Sequence, residues 1–188
     1  MPQIVQDFTV DQPVEIVWDF FQDVPEVAAC MPGVELLDTV GDNAYKGRLK
    51  VKLGPISAQF EGEAKIENLS EADRTGTISA KGADRQGGSR ASAKVNYSLT
   101  SLVATETRVQ VVADITLQGV MAQFGRTGLI SEVSAQLTKD FADCLKEKLG
   151  ASTPEEAAAV PARDVKGFRV FSRGLWSWLK AIFRRKKD

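Results

Sequence analysis

The sequence predicts an α+β domain, with one antiparallel sheet of about seven strands and a long C-terminal helix laid on its dry face. Three observations carry this. From Val34 to Leu117, apolar and polar residues alternate with period two, the mark of strands with one wet face. Ile130, Val133, Leu137, Phe141, Leu145 and Leu149 then recur at three- and four-residue spacing, which makes one apolar stripe on a helix. From Arg163 onward, nine Lys/Arg stand against two Asp, whereas the residues before it carry 15 basic and 23 acidic groups. A body of charge −8 and a tail of charge +7 have different surroundings.

Taken in order, Ile4, Gln6, Phe8 and Val10 alternate with Val5, Asp7 and Thr9 in a short first strand. Asp11, as the expected cap, and Pro13 open a helix whose apolar residues are Val14, Val17, Trp18 and Phe21. A second short helix is predicted from Pro25 to Cys30, stopped by Pro32-Gly33. Tyr45, Leu49, Val51 and Leu53 alternate with Lys46, Arg48, Lys50 and Lys52. After the Gly54-Pro55 turn, Ile56, Ala58, Phe60, Ala64 and Ile66 alternate with Gln59, Glu61, Glu63 and Glu67. Closing that hairpin sets Arg48 opposite Glu61 and Lys46 opposite Glu63 on the solvent face. Strands follow near 75–84, 90–100 and 106–117, and one helix is predicted from about Gly119 to Leu149. The chain divides into a domain at 1–149, an Ala/Pro-rich linker at 150–163 and a tail at 164–188.

The dry face has an unusual composition. The alternation that turns Leu49 and Phe60 inward also turns in Gly47, Ala58, Gly62, Ala64, Ala80, Gly82, Ala91, Ala93 and Ala113. Small residues leave volume, which either lets the helix approach closely or remains as a pocket.

Much chemistry is excluded. The chain has no histidine, which removes the commonest general base and most zinc or non-haem iron sites. Neither G-x-G-x-x-G nor a P-loop motif occurs. The glycines and arginines of "RQGGSR" read as a solvated hairpin loop, with an anion held in the turn as the other reading. Cys30 and Cys144 lie far apart and in no C-x-x-C pair, so neither a disulfide nor a metal site is expected, and a reducing compartment fits. No catalytic residue and no metal is assigned, and the sequence predicts a binding protein and no enzyme. Without a basic-then-apolar leader or a long apolar run, a cytoplasmic protein is expected.

Three stretches carry a resemblance. "CMPG" (Cys30 to Gly33), "KLGPISAQFEGEAKI" (Lys52 to Ile66) and "LQGVMAQFGR" (Leu117 to Arg126) resemble the carbon monoxide dehydrogenase G-subunit family, within the START-like (SRPBCC), helix-grip superfamily. The likeness covers about residues 3–149, and the linker and tail are similar to that family's variable extensions. It implies a sheet wrapped around the long helix, an internal apolar cavity and a role beside a molybdenum carbon monoxide dehydrogenase. Cavity candidates are Trp18, Phe21, Met31, Phe60, Tyr97, Met121, Phe124, Leu129 and Val133, with the Tyr97 hydroxyl and Gln118 or Gln123 as polar anchors. Such a set suits a long hydrophobic ligand, and an isoprenoid quinone fits an electron-carrying partner.

The tail, placed on a helix, gathers Phe168, Phe171, Leu175, Trp176, Trp178, Leu179, Ile182 and Phe183 into an arc of about 160°. Lys166, Arg169, Arg173, Lys180 and Arg184 fill the adjoining arc, and Arg185, Lys186 and Lys187 follow. Spanning a bilayer would bury Arg169, Arg173 and Lys180 at roughly 3 kcal/mol each. Lying flat puts the aromatics at the headgroup boundary and the cations on anionic lipid, each worth about 1 kcal/mol. The reading is a peripheral protein on the inner face of the cell membrane, with no nucleic-acid partner because the aromatics oppose the cations and do not interleave with them.

Overall fold

Seven strands make one antiparallel sheet in the computed structural model, which describes residues 3–53, 56–84, 86–126, 128–151 and 160. The elements are β1 (Gln3–Val10), α1 (Val14–Gln22), α2 (Val24–Cys30), β2 (Val34–Thr39), β3 (Ala44–Leu53), β4 (Ile56–Ser70), β5 (Thr75–Asp84), β6 (Ser89–Val103) and β7 (Glu106–Gln118). A 3₁₀ helix (Gly119–Arg126) and α3 (Leu129–Gly150) complete them. The strand order β1-β7-β6-β5-β4-β3-β2 is a meander whose last strand pairs with the first.

The register is the one the charge pattern demands. Arg48 pairs with Glu61 and Lys46 with Glu63 across β3 and β4. Arg48 donates to Glu61 Oε1 at 2.5 and 3.0 Å and to Glu35 Oε2 at 3.0 Å, so one guanidinium ties three strands together on the wet face. The hydrogen bond with Glu61 is the main cause that raises the Arg48 pKa.

The close approach of β4 and β5 depends on glycine. A Cβ on Gly62 would strike the Lys81 carbonyl oxygen and lie 2.6 Å from the Gly82 Cα, both backbone atoms that cannot swing aside. Gly62→Val should therefore destabilise the domain by about 1–3 kcal/mol, since β4 and β5 must part to admit the side chain. A denaturant midpoint equal to the parent's would refute this.

Three expectations are corrected. Asp11 does not cap α1: Pro13 takes the cap position, and no side chain bonds there. Asp23 caps α2 instead, accepting from the Glu26 N–H at 3.1 Å. The helix expected as one piece from Gly119 is two, because Gly119, Gly125 and Gly128 weaken it and the first piece is pinned elsewhere. The Met121 N–H donates to Ser89 Oγ at 3.2 Å, and Gly119, at φ 72°, lies against the Gly88 carbonyl.

The third correction is covalent. Cys30 and Cys144, expected to be unpaired, form a disulfide with Cα atoms 5.5 Å apart, which removes the ground on which a reducing compartment was expected. It joins the end of α2 to the middle of α3, and both residues are buried. Lys148, also buried, pairs with Glu26 about one turn further along the same two helices.

The core falls into two clusters. Val10, Val17, Trp18, Phe20, Tyr97, Leu99, Val109, Phe141 and Leu145 surround the disulfide at one end of the sheet. Ala58, Phe60 and Met121 form the other, with Val51, Ala91, Leu117, Leu129 and Val133 packed on it. Of the linker expected at 150–163, Gly150 ends α3 and Val160 returns to pack on the first cluster. Residues 161–188 lie outside the described residues, and with them every predicted membrane-binding side chain of the tail.

Candidate functional site

Between the two clusters runs a strip of inner-face residues that is neither buried nor fully exposed. Cross-strand register builds it row by row. Gly47, Gly62, Gly82 and Ala91 stand side by side across β3–β6, and Tyr45, Ala64, Ala80 and Ala93 form the next row. Ile66, Ile78, Val95 and Ala113 form the third, and all of these residues are partly accessible. The Gly and Ala side chains among them, at 47, 62, 64, 80, 82, 91, 93 and 113, do not fill the depth that Phe60 or Tyr97 fills beside them.

The helices are placed unevenly on the sheet. α3 lies chiefly against β1, α1 lies over β6 and β7, and the 3₁₀ helix lies over the ends of β6 and β7. The 3₁₀ helix keeps to the end of the second cluster and α1 to that of the first, while α3 reaches both, through Leu129 and Val133 near its start and Phe141 and Leu145 further along.

The predicted cavity residues sit at the two ends of this strip. Trp18 and Tyr97 belong to the disulfide-centred cluster, with Phe21 and Met31 packed on it. Phe60 and Met121 belong to the second, with Leu129 and Val133 on it. The Phe124 side chain lies outside the described residues. The structure therefore divides this set between two ends and does not bring it together as one lining. The strip between them is the run of small residues read from the alternation.

The aromatic end is closely built. The Tyr97 ring centroid is 5.0 Å from that of Phe21 and 6.4 Å from that of Trp18. The Arg74 guanidinium stands 5.7 Å over the Trp18 ring, a cation on the ring's negative face. Tyr97 lies so close over Gly76, its register partner, that a Cβ there would enter the ring. Burial raises the Tyr97 pKa, so its hydroxyl stays neutral to higher pH than a free phenol. The other expected anchors are elsewhere. Gln123 is exposed, and Gln118 lines a cleft on the opposite face of the sheet.

The "RQGGSR" turn is not an anion cradle. Asp84 Oδ1 accepts the N–H groups of Gln86 and Gly87, each at 3.0 Å, so those donors are taken. An Asp followed two and three residues later by Gln-Gly is the sequence signal that reveals such a turn. Among the described residues, no group of three or more His, Cys, Asp or Glu is placed to hold a metal ion, and no helix is long and apolar enough to cross a membrane.

A seven-stranded antiparallel sheet followed by a long C-terminal helix is the fold of START-like proteins. Solved structures agree on the fold. A conserved protein from Geobacillus kaustophilus is 15% identical with TM-score 0.65, covering 77% of this chain and 95% of its own. The Zhui aromatase/cyclase from Streptomyces sp. R1128 is 16% identical with TM-score 0.56, covering 79% and 95%. A START superfamily protein from Mycobacterium smegmatis is 14% identical with TM-score 0.51, covering 80% and 99%. No curated protein sequence matches the chain. Residues 7–150 match the carbon monoxide dehydrogenase G-subunit family (CoxG), and the chain belongs to that family.

Proposed function

We propose that this protein is a carrier that takes a hydrophobic molecule, an isoprenoid quinone, from the membrane and presents it to a molybdenum carbon monoxide dehydrogenase. The observation that carries the reading is the open strip of small apolar residues between two filled core clusters. An apolar surface left accessible inside a fold is costly in water and is relieved when an apolar ligand covers it. The family's name supplies the partner.

The chemistry of that partnership fits. Oxidation of carbon monoxide releases electrons that must reach a lipid-soluble acceptor, while a soluble dehydrogenase stands outside the bilayer. A domain with an apolar strip and a basic, aromatic tail bridges the gap: the tail rests on anionic lipid at the cytoplasmic face and the strip holds the quinone. On this reading the protein binds and hands over its ligand, and the chain lacks histidine, the commonest general base.

Full-length protein purified without detergent, extracted into organic solvent and analysed by mass spectrometry, should yield a quinone in near-stoichiometric amount. Protein that is consistently empty would sink the carrier reading. It would leave an adaptor that recruits or matures the dehydrogenase, with the tail as its anchor.

A further inference from the structure

The outer face of the sheet holds a second concavity, of about 400 Å³, on β5, β6 and β7. Register shows how it is made. Lys81, Ser92 and Thr116 form one row across the three strands, and Ala83, Arg90 and Gln118 form the next. All six share the outward parity, opposite to Ala80 and Ala93, and Gly82 and Ala91, which also stand in the first row of the apolar strip, complete the lining between them. The short Ala83, Ser92 and Thr116 give it depth. The long Lys81, Arg90 and Gln118 rise around them.

The polar side chains of the lining have one chemical character. Every polar side chain in it can donate a hydrogen bond, and none is a carboxylate. Lys81 and Arg90 are diagonal neighbours on adjacent strands, at about 7–8 Å, close enough for both cationic groups to meet one anion. Arg48, Arg74, Lys94, Arg108, Lys139 and Lys148 each hold a carboxylate, but among the described residues Lys81 and Arg90 take part in no such ion pair. The nearest carboxylates by register are on β4. Glu63 faces Lys81 but also Lys46, and Glu61 is already bonded to Arg48. Two like charges side by side repel each other, and a bridging anion removes that repulsion. The volume lies within the range for small-molecule sites, roughly 300–1,000 Å³. Arg90 is the last residue of "RQGGSR", so the anion hint in that motif moves from the turn, where Asp84 takes the donors, to the sheet face beside it.

We propose that this cleft recognises a phosphate group, carried by a soluble ligand or by a lipid headgroup, through Lys81 and Arg90 with the Ser92 and Thr116 hydroxyls. The test uses the full-length protein and inorganic phosphate, followed through the backbone amides of residues 81–83, 90–92 and 116–118 by NMR. Saturable shifts are expected with phosphate and not with chloride at equal ionic strength. Lys81→Ala and Arg90→Ala should each weaken binding by about tenfold, a change on the open face that leaves the core untouched. Glycerophosphoglycerol and phosphatidylglycerol vesicles separate the two sources. If the soluble headgroup binds more tightly than inorganic phosphate and both variants lose vesicle affinity, the ligand is lipid. If inorganic phosphate binds while vesicle affinity stays at the parent value, the ligand is soluble. Shifts that never saturate, that chloride reproduces, or that both variants retain would overturn the proposal.

Discussion

Replacing both cysteines, Cys30→Ala with Cys144→Ala, should lower stability by about 2–5 kcal/mol and the melting midpoint by roughly 10 °C. The bond closes a loop with a sequence separation of 114, so cutting it restores much freedom to the unfolded chain. It is also the only covalent tie among the described residues between α2 and α3, and α3 otherwise lies chiefly on the edge strand β1. The measurement is a pair of thermal melts, parent and double variant, each with and without a dithiol reductant. The parent should fall to the variant's midpoint on reduction, while the variant should not respond. Equal midpoints for oxidised parent and variant would show that the bond contributes nothing. Lys148 bears on the size of the effect, because its buried charge stays paired only while α2 and α3 remain in register.

Filling the apolar strip should abolish ligand uptake. Ala93→Trp or Ala113→Trp places a large ring among Ala80, Ile78 and Val95, where the parent has only methyl groups and partly accessible aliphatics. Because the strip is open, the ring has room, and the fold should lose far less than the roughly 1–3 kcal/mol of an overpacked core. Binding of a long-chain quinone should fall by at least about tenfold, since most of the apolar contact area is then taken. Attachment to anionic vesicles, read by co-sedimentation, should not change. A filled variant that still supports carbon monoxide-dependent quinone reduction at the parent rate would end the carrier reading and favour the adaptor.

The strands are legible in the sequence because a sheet with one wet face writes its geometry there with period two. Lys46, Arg48, Glu61 and Glu63 go further and give the register, as each charge needs its opposite across the hairpin. The small residues of the inner face are legible for the same reason, and they remain the best part of the site reading. What the pattern does not contain is set by packing. Cys30 and Cys144 meet because α2 and α3 stack, and no local pattern states which helices stack. The eight candidates whose side chains are described divide between two clusters, α1 and Tyr97 in one and the 3₁₀ helix, Phe60 and the start of α3 in the other, which apolarity alone does not decide.

The sequence by itself determined the strands and most of the helices, the β3–β4 pairing, the division of charge between body and tail, and the family, because each depends on neighbours in the chain or on one face of one element. Tertiary structure alone decided the disulfide, the gap between the two core clusters, the return of Val160 to the first of them, and the outward cleft at Lys81 and Arg90. These depend on how the elements are placed against one another, and long-range placement is fixed by summed burial over the whole domain, a quantity that no short window of sequence contains.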